Sequence, residues 1–251
     1  MTAIPASQLR IIVTGGARGI GAATARLLAA DGARVMITDV LDAEGEALAA
    51  EIGANAVYRR LDVTAPEDWQ AAVAAAAAAF GGVDALFNNA GIVTFAGVLQ
   101  HTPESFRHII DINLYGVFLG IHAAAPAIAR AGGGVIVNTS STAGLQGYAG
   151  IAGYVASKWG VRGLTKAAAL DLAPQKIRVL SLHPGPIHTP MTEGLPEENA
   201  AAQPIPRYGE ADEVARMVRF MVCEASYSTG SEFTVDGGAV TGQVLALPEA
   251  G

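Results

Sequence analysis

Short, nearly continuous apolar runs alternate along this chain with longer stretches whose apolar positions recur at helical spacing. The apolar runs fall at residues 10–14, 34–38, 57–60, 85–88, 135–139, 178–182 and 232–235. Most lack the in–out alternation of a strand with one wet face, so they are expected to be strands covered on both sides. Between them lie alanine- and leucine-rich segments of helical length, notably 21–31, 66–80, 103–130 and 154–172. This alternation predicts an α/β fold, a doubly wound parallel sheet of about seven strands with right-handed crossovers and helices on both faces. Residues 71–79 are nearly pure alanine. Alanine is the best helix former, so the stretch reads as helix and not as a linker. The one irregular insertion, 189–208, carries Pro190, Pro196, Pro204 and Pro206 and reads as a flap between the sixth strand and a late helix. No repeat or domain boundary interrupts the alternation, so 1–251 is expected to be one domain ending in a tail at 239–251.

A chain of 251 residues suffices for one large α/β domain with a substantial core. Hydrophobic residues make up 51% and charged residues 16%, a globular and rather oily balance. The formal net charge is −7, and the longest basic run is Arg59-Arg60. That argues against nucleic acid as a partner. No apolar stretch is read as approaching the ~18 residues of a membrane span, so no membrane partner is expected. The N-terminal nine residues have neither the charged start nor the long apolar core of a signal peptide. Cys223 is the only cysteine, which rules out an internal disulfide and suits a reducing, cytoplasmic compartment. One cysteine and five scattered histidines offer no metal-ligand spacing, so no metal is expected.

Two local patterns add chemistry. Thr14-Gly15-Gly16-Ala17-Arg18-Gly19-Ile20-Gly21 lies between the first strand and the first helix. Glycines there permit a tight turn and let backbone N–H groups approach a pyrophosphate at the helix N-terminus. The spacing T-G-x-x-x-G-x-G differs from the general G-x-G-x-x-G fingerprint. Asp39 ends the second strand, where a carboxylate meets the adenosine ribose hydroxyls and repels a 2′-phosphate, favouring NAD over NADP. Arg18 pulls the other way, since a guanidinium can pair with that phosphate. Downstream, Tyr154 and Lys158 are four residues apart, so phenol and ammonium share a helix face. The ammonium is expected to lower the phenol's pKa from about 10 and to let it exchange a proton near neutral pH.

With Asp62-Val63, Asn88-Asn89-Ala90-Gly91, Asn113, Ser141, Pro184-Gly185 with Thr189, and Val235-Asp236-Gly237-Gly238, these strings resemble the short-chain dehydrogenase/reductase family over residues 10–242. Leu61-Asp62-Val63-Thr64, Asp68-Trp69, 157–163 and His183-Pro184-Gly185 are similar to its bacterial 3α/20β-hydroxysteroid dehydrogenase-like branch of secondary-alcohol dehydrogenases. The resemblance implies a single-domain Rossmann fold and a catalytic group of Asn113, Ser141, Tyr154 and Lys158. Ser141 is preferred to Ser140 because the family places its serine thirteen residues before the tyrosine. By resemblance, Ser141 orients the substrate oxygen and Tyr154 exchanges the proton. Lys158 holds the nicotinamide ribose, and Asn113 supports a water linking Lys158 to solvent. Cofactor contacts carried over are Gly15, Arg18, Gly19, Ile20, Gly21, Asp39, Asp62, Val63, Asn89, Lys158, Ile187 and Thr189. Asn88 has the alternative of stabilising the sheet alone.

The substrate pocket is expected after the fourth to sixth strands and under the flap. Its candidates are Val93, Phe95, Leu145, Gln146, Tyr148, Pro186, His188, Met191 and Leu195. Most are apolar, which points to a small hydrophobic alcohol or ketone. The alternatives are an NADPH-dependent 3-oxoacyl-type reductase, which calls for a basic docking patch, and a non-catalytic dinucleotide-binding sensor. Asp39 and the acidic balance oppose the first; Ser141, Tyr154 and Lys158 oppose the second. The resemblance also implies a homotetramer pairing through helices near 103–130 and 154–172. Segments apolar around much of their circumference agree with that. Val244, Leu245 and Leu247 suggest a tail docked on a neighbour.

Overall fold

Every strand read from the sequence finds its place in one parallel sheet. The computed structural model describes residues 3–242, so the tail residues Val244, Leu245 and Leu247 lie outside the described residues. The chain runs through β1 (Arg10–Thr14), α1 (Gly19–Ala30), β2 (Arg34–Asp39), α2 (Asp42–Ile52) and β3 (Ala56–Arg60). It continues through α3 (Pro66–Phe80), β4 (Ala85–Asn88), α4 (Pro103–Ile110), α5 (Gly116–Arg130) and β5 (Gly134–Thr139). Then come α6 (Ala152–Leu172), β6 (Ile177–Pro184), β7 (Ile187–His188), β8 (Gly209–Glu210), α7 (Ala211–Cys223) and β9 (Glu232–Val235). The seven-stranded sheet has the order β3-β2-β1-β4-β5-β6-β9, with parallel ladders throughout. Connections run outward in opposite directions from β1 and β4. The crevice at their carboxyl ends is where open α/β sheets take ligands.

The two faces of the sheet are covered separately. α1 and α7 pack together on one face, over Ile11, Val13, Val35 and Leu180. α3, α5 and α6 cover the other, over Ile12, Leu86, Ile136 and Val179. Odd and even positions of one strand thus enter different cores, which is why these strands read as unbroken apolar runs. Buried asparagines on the central strands are hydrogen-bonded to one another and to α6. Asn88 Nδ2 donates to Asn138 Oδ1 at 2.9 Å, and Asn138 Nδ2 donates to Thr165 Oγ1 at 3.0 Å. That chain ties β4, β5 and α6 together and gives Asn88 the sheet-stabilising role.

One sequence expectation is corrected. Pro103–Arg130 is a 28-residue helical run with a window of mean hydropathy 1.5, long and apolar enough by composition to cross a bilayer. Its hydropathy has another use. Val117, Leu119, Ile121, Ala124 and Ile128 are core residues, and 56% of the window is buried within the fold. A π-helical turn, Asp111–Tyr115, interrupts the run between α4 and α5. Such widened turns are recurrent at functional sites. The flap expected at 189–208 is bounded by β7 and β8, which pair with each other as a separate two-stranded sheet.

Candidate active site

At the end of β1 the chain turns through Gly15 and Gly19, both at φ +57°. A Cβ on Gly15 would stand 2.8 Å from Ala90 Cα, and one on Gly21 would stand 2.2 Å from the Gly15 carbonyl oxygen. Only glycine allows this closeness of turn, helix and β4 loop. No side chain caps α1, whose N-cap is the exposed Arg18, so its first-turn N–H groups are open to an anion. Thr14 and Asn89 hold the turn. Thr14 Oγ1 accepts from the Asn89 and Ala90 N–H groups at 3.0 and 3.1 Å. Asn89 Nδ2 donates to the Thr14 and Gly15 carbonyls at 3.2 and 3.1 Å. The side chain of Asn89 therefore clamps the turn, where the resemblance had implied a cofactor contact.

The other dinucleotide candidates surround this turn. Asp39 Oδ2 accepts from Ala17 N–H at 3.0 Å, while Oδ1 accepts from Val40 and Leu41 N–H at 2.8 and 3.2 Å. Its carboxylate is thereby fixed beside the glycine turn. Asp62 Oδ1 takes the Thr64 N–H and hydroxyl at 2.9 and 2.7 Å, shaping the loop after β3. Val63 is buried against Gly116. Ile187 is buried, and Thr189 lies over the turn, its Cγ2 3.3 Å from where a Gly19 Cβ would be. A glycine cradle, an uncapped helix and a positioned carboxylate fit a dinucleotide.

The catalytic candidates converge beyond β5. Ser140 is buried and donates to the Lys158 carbonyl at 2.9 Å, so it fastens α6. Ser141 is partly exposed; its hydroxyl donates to the Pro184 carbonyl at 3.4 Å, and it is the side chain that works against the raised Tyr154 pKa. The structure thus separates the two adjacent hydroxyls: Ser140 is buried and bonded to α6, and Ser141 is partly open to the cleft. Lys158 is 2% exposed and its ammonium donates to the Thr139 carbonyl at 2.9 Å. Burial pushes its pKa down to about 8. Its Nζ stands 5.3 Å from the centroid of the Tyr154 ring.

In the free protein the tyrosine pKa is raised, not lowered as the spacing suggested. Burial raises the Tyr154 pKa, and the group that works to lower it is Ser141. Helical spacing does put the lysine and tyrosine on one face. The lysine's flexible stem, however, carries its charge to a carbonyl under the ring, not to the phenol oxygen. Asn113, in the π turn, is fully buried and uses both amide atoms. Its Oδ1 accepts from Ile92 N–H at 2.8 Å, and Nδ2 donates to the Ile92 carbonyl at 2.9 Å and Ser157 Oγ at 3.2 Å. Gly91 keeps the region between Asn113 and Lys158 open: a Cβ there would stand 3.3 Å from Asn113 Oδ1 and 3.5 Å from Lys158 Nζ.

The substrate candidates divide. A bridge between Ala96 and Ile151 brings the loop holding Val93 and Phe95 beside the start of α6. Leu145, Gln146 and Tyr148 follow Ser141 in sequence; Tyr148 accepts from Gln146 at 2.8 Å and donates to Thr142 at 3.1 Å. Phe95 is 60% exposed, with Tyr148 and Met191 also exposed and Val93, Leu145, Pro186 and Leu195 partly so. His188 is placed differently from the expectation. It stacks on Tyr208 at 5.0 Å and lies 3.7 and 4.0 Å from Glu197 and Glu210, fastening the flap to itself. Sequence reasoning gave no role to Thr14, to Gly91 or to His183, which is wholly buried behind Ser141. A histidine inside an apolar strand was the available signal for the last.

Comparison with known proteins gives the same picture. The family model described as enoyl-(acyl carrier protein) reductase matches residues 15–240. A 3-alpha-(or 20-beta)-hydroxysteroid dehydrogenase of Mycobacterium tuberculosis is 48% identical over 232 residues, 92% of this chain and 89% of that protein. A trans-4-hydroxycyclohexanecarboxylate dehydrogenase of Sinomonas cyclohexanicum is 46% identical over 244 residues, 93% of each. A crystal structure of a short-chain type dehydrogenase/reductase from Mycobacterium marinum superposes with TM-score 0.88 at 35% identity, covering 92% of this chain and 95% of that one.

The buried lysine leaves a measurable trace on stability. Its folded pKa of about 8 lies below the ordinary lysine value of 10.5, so between these values the unfolded chain binds the extra proton. Stability from this group therefore rises with pH across that window. Urea unfolding of the cofactor-free protein and of Lys158→Met, at pH 7.5 and 9.5, checks it. The parent should gain stability relative to the variant at the higher pH.

Proposed function

This chain belongs to the short-chain dehydrogenase/reductase family and is a nicotinamide-dinucleotide-dependent oxidoreductase, and we propose that it interconverts a hydrophobic secondary alcohol and its ketone, with NAD preferred. The observation that carries this reading is the Ser141 hydroxyl turned to the Tyr154 phenol, with the Lys158 ammonium beneath the ring. Relatives named for a steroid alcohol and a hydroxycyclohexane acid support an alicyclic carbinol. So does the apolar character of Val93, Phe95, Leu145 and Met191.

Gly15, Arg18, Gly19, Ile20 and Gly21 would hold the pyrophosphate, Asp39 the adenosine ribose, and Asp62 and Val63 the adenine. Ile187 and Thr189 would meet the carboxamide, and Lys158 the second ribose. When bound, the cofactor supplies a hydride acceptor or donor and, when oxidised, a positive charge. Ser141 holds the substrate oxygen beside Tyr154, a matter of orientation. Tyr154 takes the carbinol proton in oxidation and returns it in reduction. Burial makes the phenol reluctant to ionise, and nearby positive charge works the other way by favouring the phenolate. Lys158 remains mostly cationic below its value of about 8 and contributes part of that charge. Asn113 and the open region before Gly91 give a polar route from Lys158 outward.

We also propose a homotetramer. Tyr115, Phe118 and His122 stack along one line, with centroids 6.1 and 5.9 Å apart, and Tyr115, Phe118 and Trp159 are exposed. Such a patch is suited to a second copy.

Three measurements test the reading. Tyr154→Phe should lower turnover of cyclic and steroid alcohols by about 10²–10⁴-fold with NAD affinity little changed; activity within a few-fold of the parent would sink the assignment. The parent should favour NAD over NADP in kcat/KM, and Asp39→Ser should narrow the ratio. A parent that already prefers NADP would show Arg18 outweighing Asp39. Light scattering at micromolar concentration should report a tetramer; a monomer would defeat the assembly proposal.

A further inference from the structure

We infer that His183 is a positioning residue for the catalytic serine, a neutral imidazole that extends the β5–β6 ladder by one side-chain bond and thereby sets the Ser141 hydroxyl toward Tyr154. β6 is buried along its whole length, and His183 is wholly buried within it. The backbone pairing of β5 with β6 ends at Thr139 and Leu182, followed by one further bond from Ser140 N–H to the Leu182 carbonyl at 2.8 Å. Beyond that point the imidazole takes over. Its Nδ1 stands 3.1 Å from the Ser141 carbonyl oxygen, and its Nε2 stands 2.9 Å from Ser181 Oγ.

A carbonyl oxygen can only accept, so Nδ1 carries the proton. In a neutral ring Nε2 then accepts from the Ser181 hydroxyl. The residue after the histidine completes the grip: the Ser141 hydroxyl lies 3.4 Å from the Pro184 carbonyl and accepts from Ala143 N–H at 3.1 Å. Two consecutive residues of β6 thus hold the serine, one by its backbone and one near its hydroxyl.

The surroundings keep the ring neutral. Burial lowers its pKa and outweighs the bond to the Ser141 carbonyl, which raises it; Glu232 on β9 pulls upward, and Arg162 and Lys166 on α6 pull downward. Glu232 is itself held by Arg162 and Lys166, each at 2.7 Å, so it is not a free counter-charge for an imidazolium. The groups that face the phenol itself are Ser141, Tyr148 and the Lys158 ammonium. Of these, Ser141 alone is tied to His183.

The inference rests on the proposed alcohol dehydrogenase reading for its kinetic arm only. Asn and Gln dissect the two bonds. Asn Nδ2 is attached to Cγ, as His Nδ1 is, and reaches the Ser141 carbonyl. Gln extends one bond further, toward Ser181, and leaves that carbonyl unpaired. With NAD and a panel of cyclic alcohols, His183→Gln should lower kcat about 10–100-fold at unchanged KM for NAD, as expected of a displaced catalytic group. His183→Asn should stay within a few-fold of the parent. In a Ser141→Ala background, His183→Gln should cause no further loss. A readout independent of turnover is the Tyr154 ¹³Cζ resonance of tyrosine-labelled protein, assigned with Tyr154→Phe. His183→Gln should move it as Ser141→Ala does, and His183→Asn should leave it in place.

Equal effects of Asn and Gln, or a Gln variant with parental kcat and an unmoved resonance, would overturn the inference. If no alcohol is oxidised by the parent, the dehydrogenase reading fails, and the resonance alone decides on His183. Should the Gln variant not fold, ¹⁵N shifts of the parent's imidazole decide. A protonated Nδ1 with a bare Nε2 supports the inference; the opposite tautomer, unable to donate to Ser141, overturns it.

Discussion

The close approach of the Gly15 turn to Ala90 is the contact on which the rest of the site depends. It lies where the sheet order reverses, between β1 and β4, and a Cβ on Gly15 would stand 2.8 Å from the Ala90 backbone. Because no side chain separates them, Thr14 and Asn89 can cross-bond the two loops. The uncapped start of α1 is then held beside the loop that leads to Gly91 and Asn113. A wider separation would leave the dinucleotide cradle and the proton-handling residues as two unconnected features.

Burial then sets the chemistry of the residues gathered there. It works in opposite directions on the two titratable partners, raising Tyr154 and lowering Lys158. Both shifts have one cause, since a low-dielectric setting disfavours the charged form of each group. In the free site the phenol is therefore harder to ionise and the ammonium easier to deprotonate. A substrate oxygen held by Ser141 and a cationic ring nearby would be what makes phenolate formation favourable.

The polar residues near the cleft show how geometry divides similar side chains. Ser140 and Ser141 are neighbours, yet one hydroxyl is spent on the Lys158 carbonyl and the other faces the phenol. Asn88 and Asn89 are neighbours, yet one belongs to the buried Asn138–Thr165 chain and the other clamps the glycine turn. His183 and His188 both follow β5 in sequence. One is sealed behind Ser141, and the other is stacked on Tyr208 at the surface of the flap. In the serine and asparagine pairs, successive side chains at a strand end point to different environments; the two histidines differ because they lie on separate strands, β6 and β7.

What the sequence by itself determined was the α/β architecture, because a strand buried on both faces is apolar at most of its positions. β1, β4 and β9 fall where the apolar runs placed them, and the other core strands begin or end within two residues of theirs. The glycine turn was legible for the same kind of reason, since positive φ and close backbone approach admit few residue types. The helical run at 103–130 was visible too, but hydropathy alone could not say whether a bilayer or a sheet would cover it. Only the tertiary structure decided that, and it decided the roles of Asn89, Lys158, His183 and His188. Those roles depend on which carbonyl, carboxylate or ring stands within about 3–5 Å, a distance range in which hydrogen bonds and close charges act. Such neighbours come from strands and loops far apart in the chain, and local spacing carries no record of them.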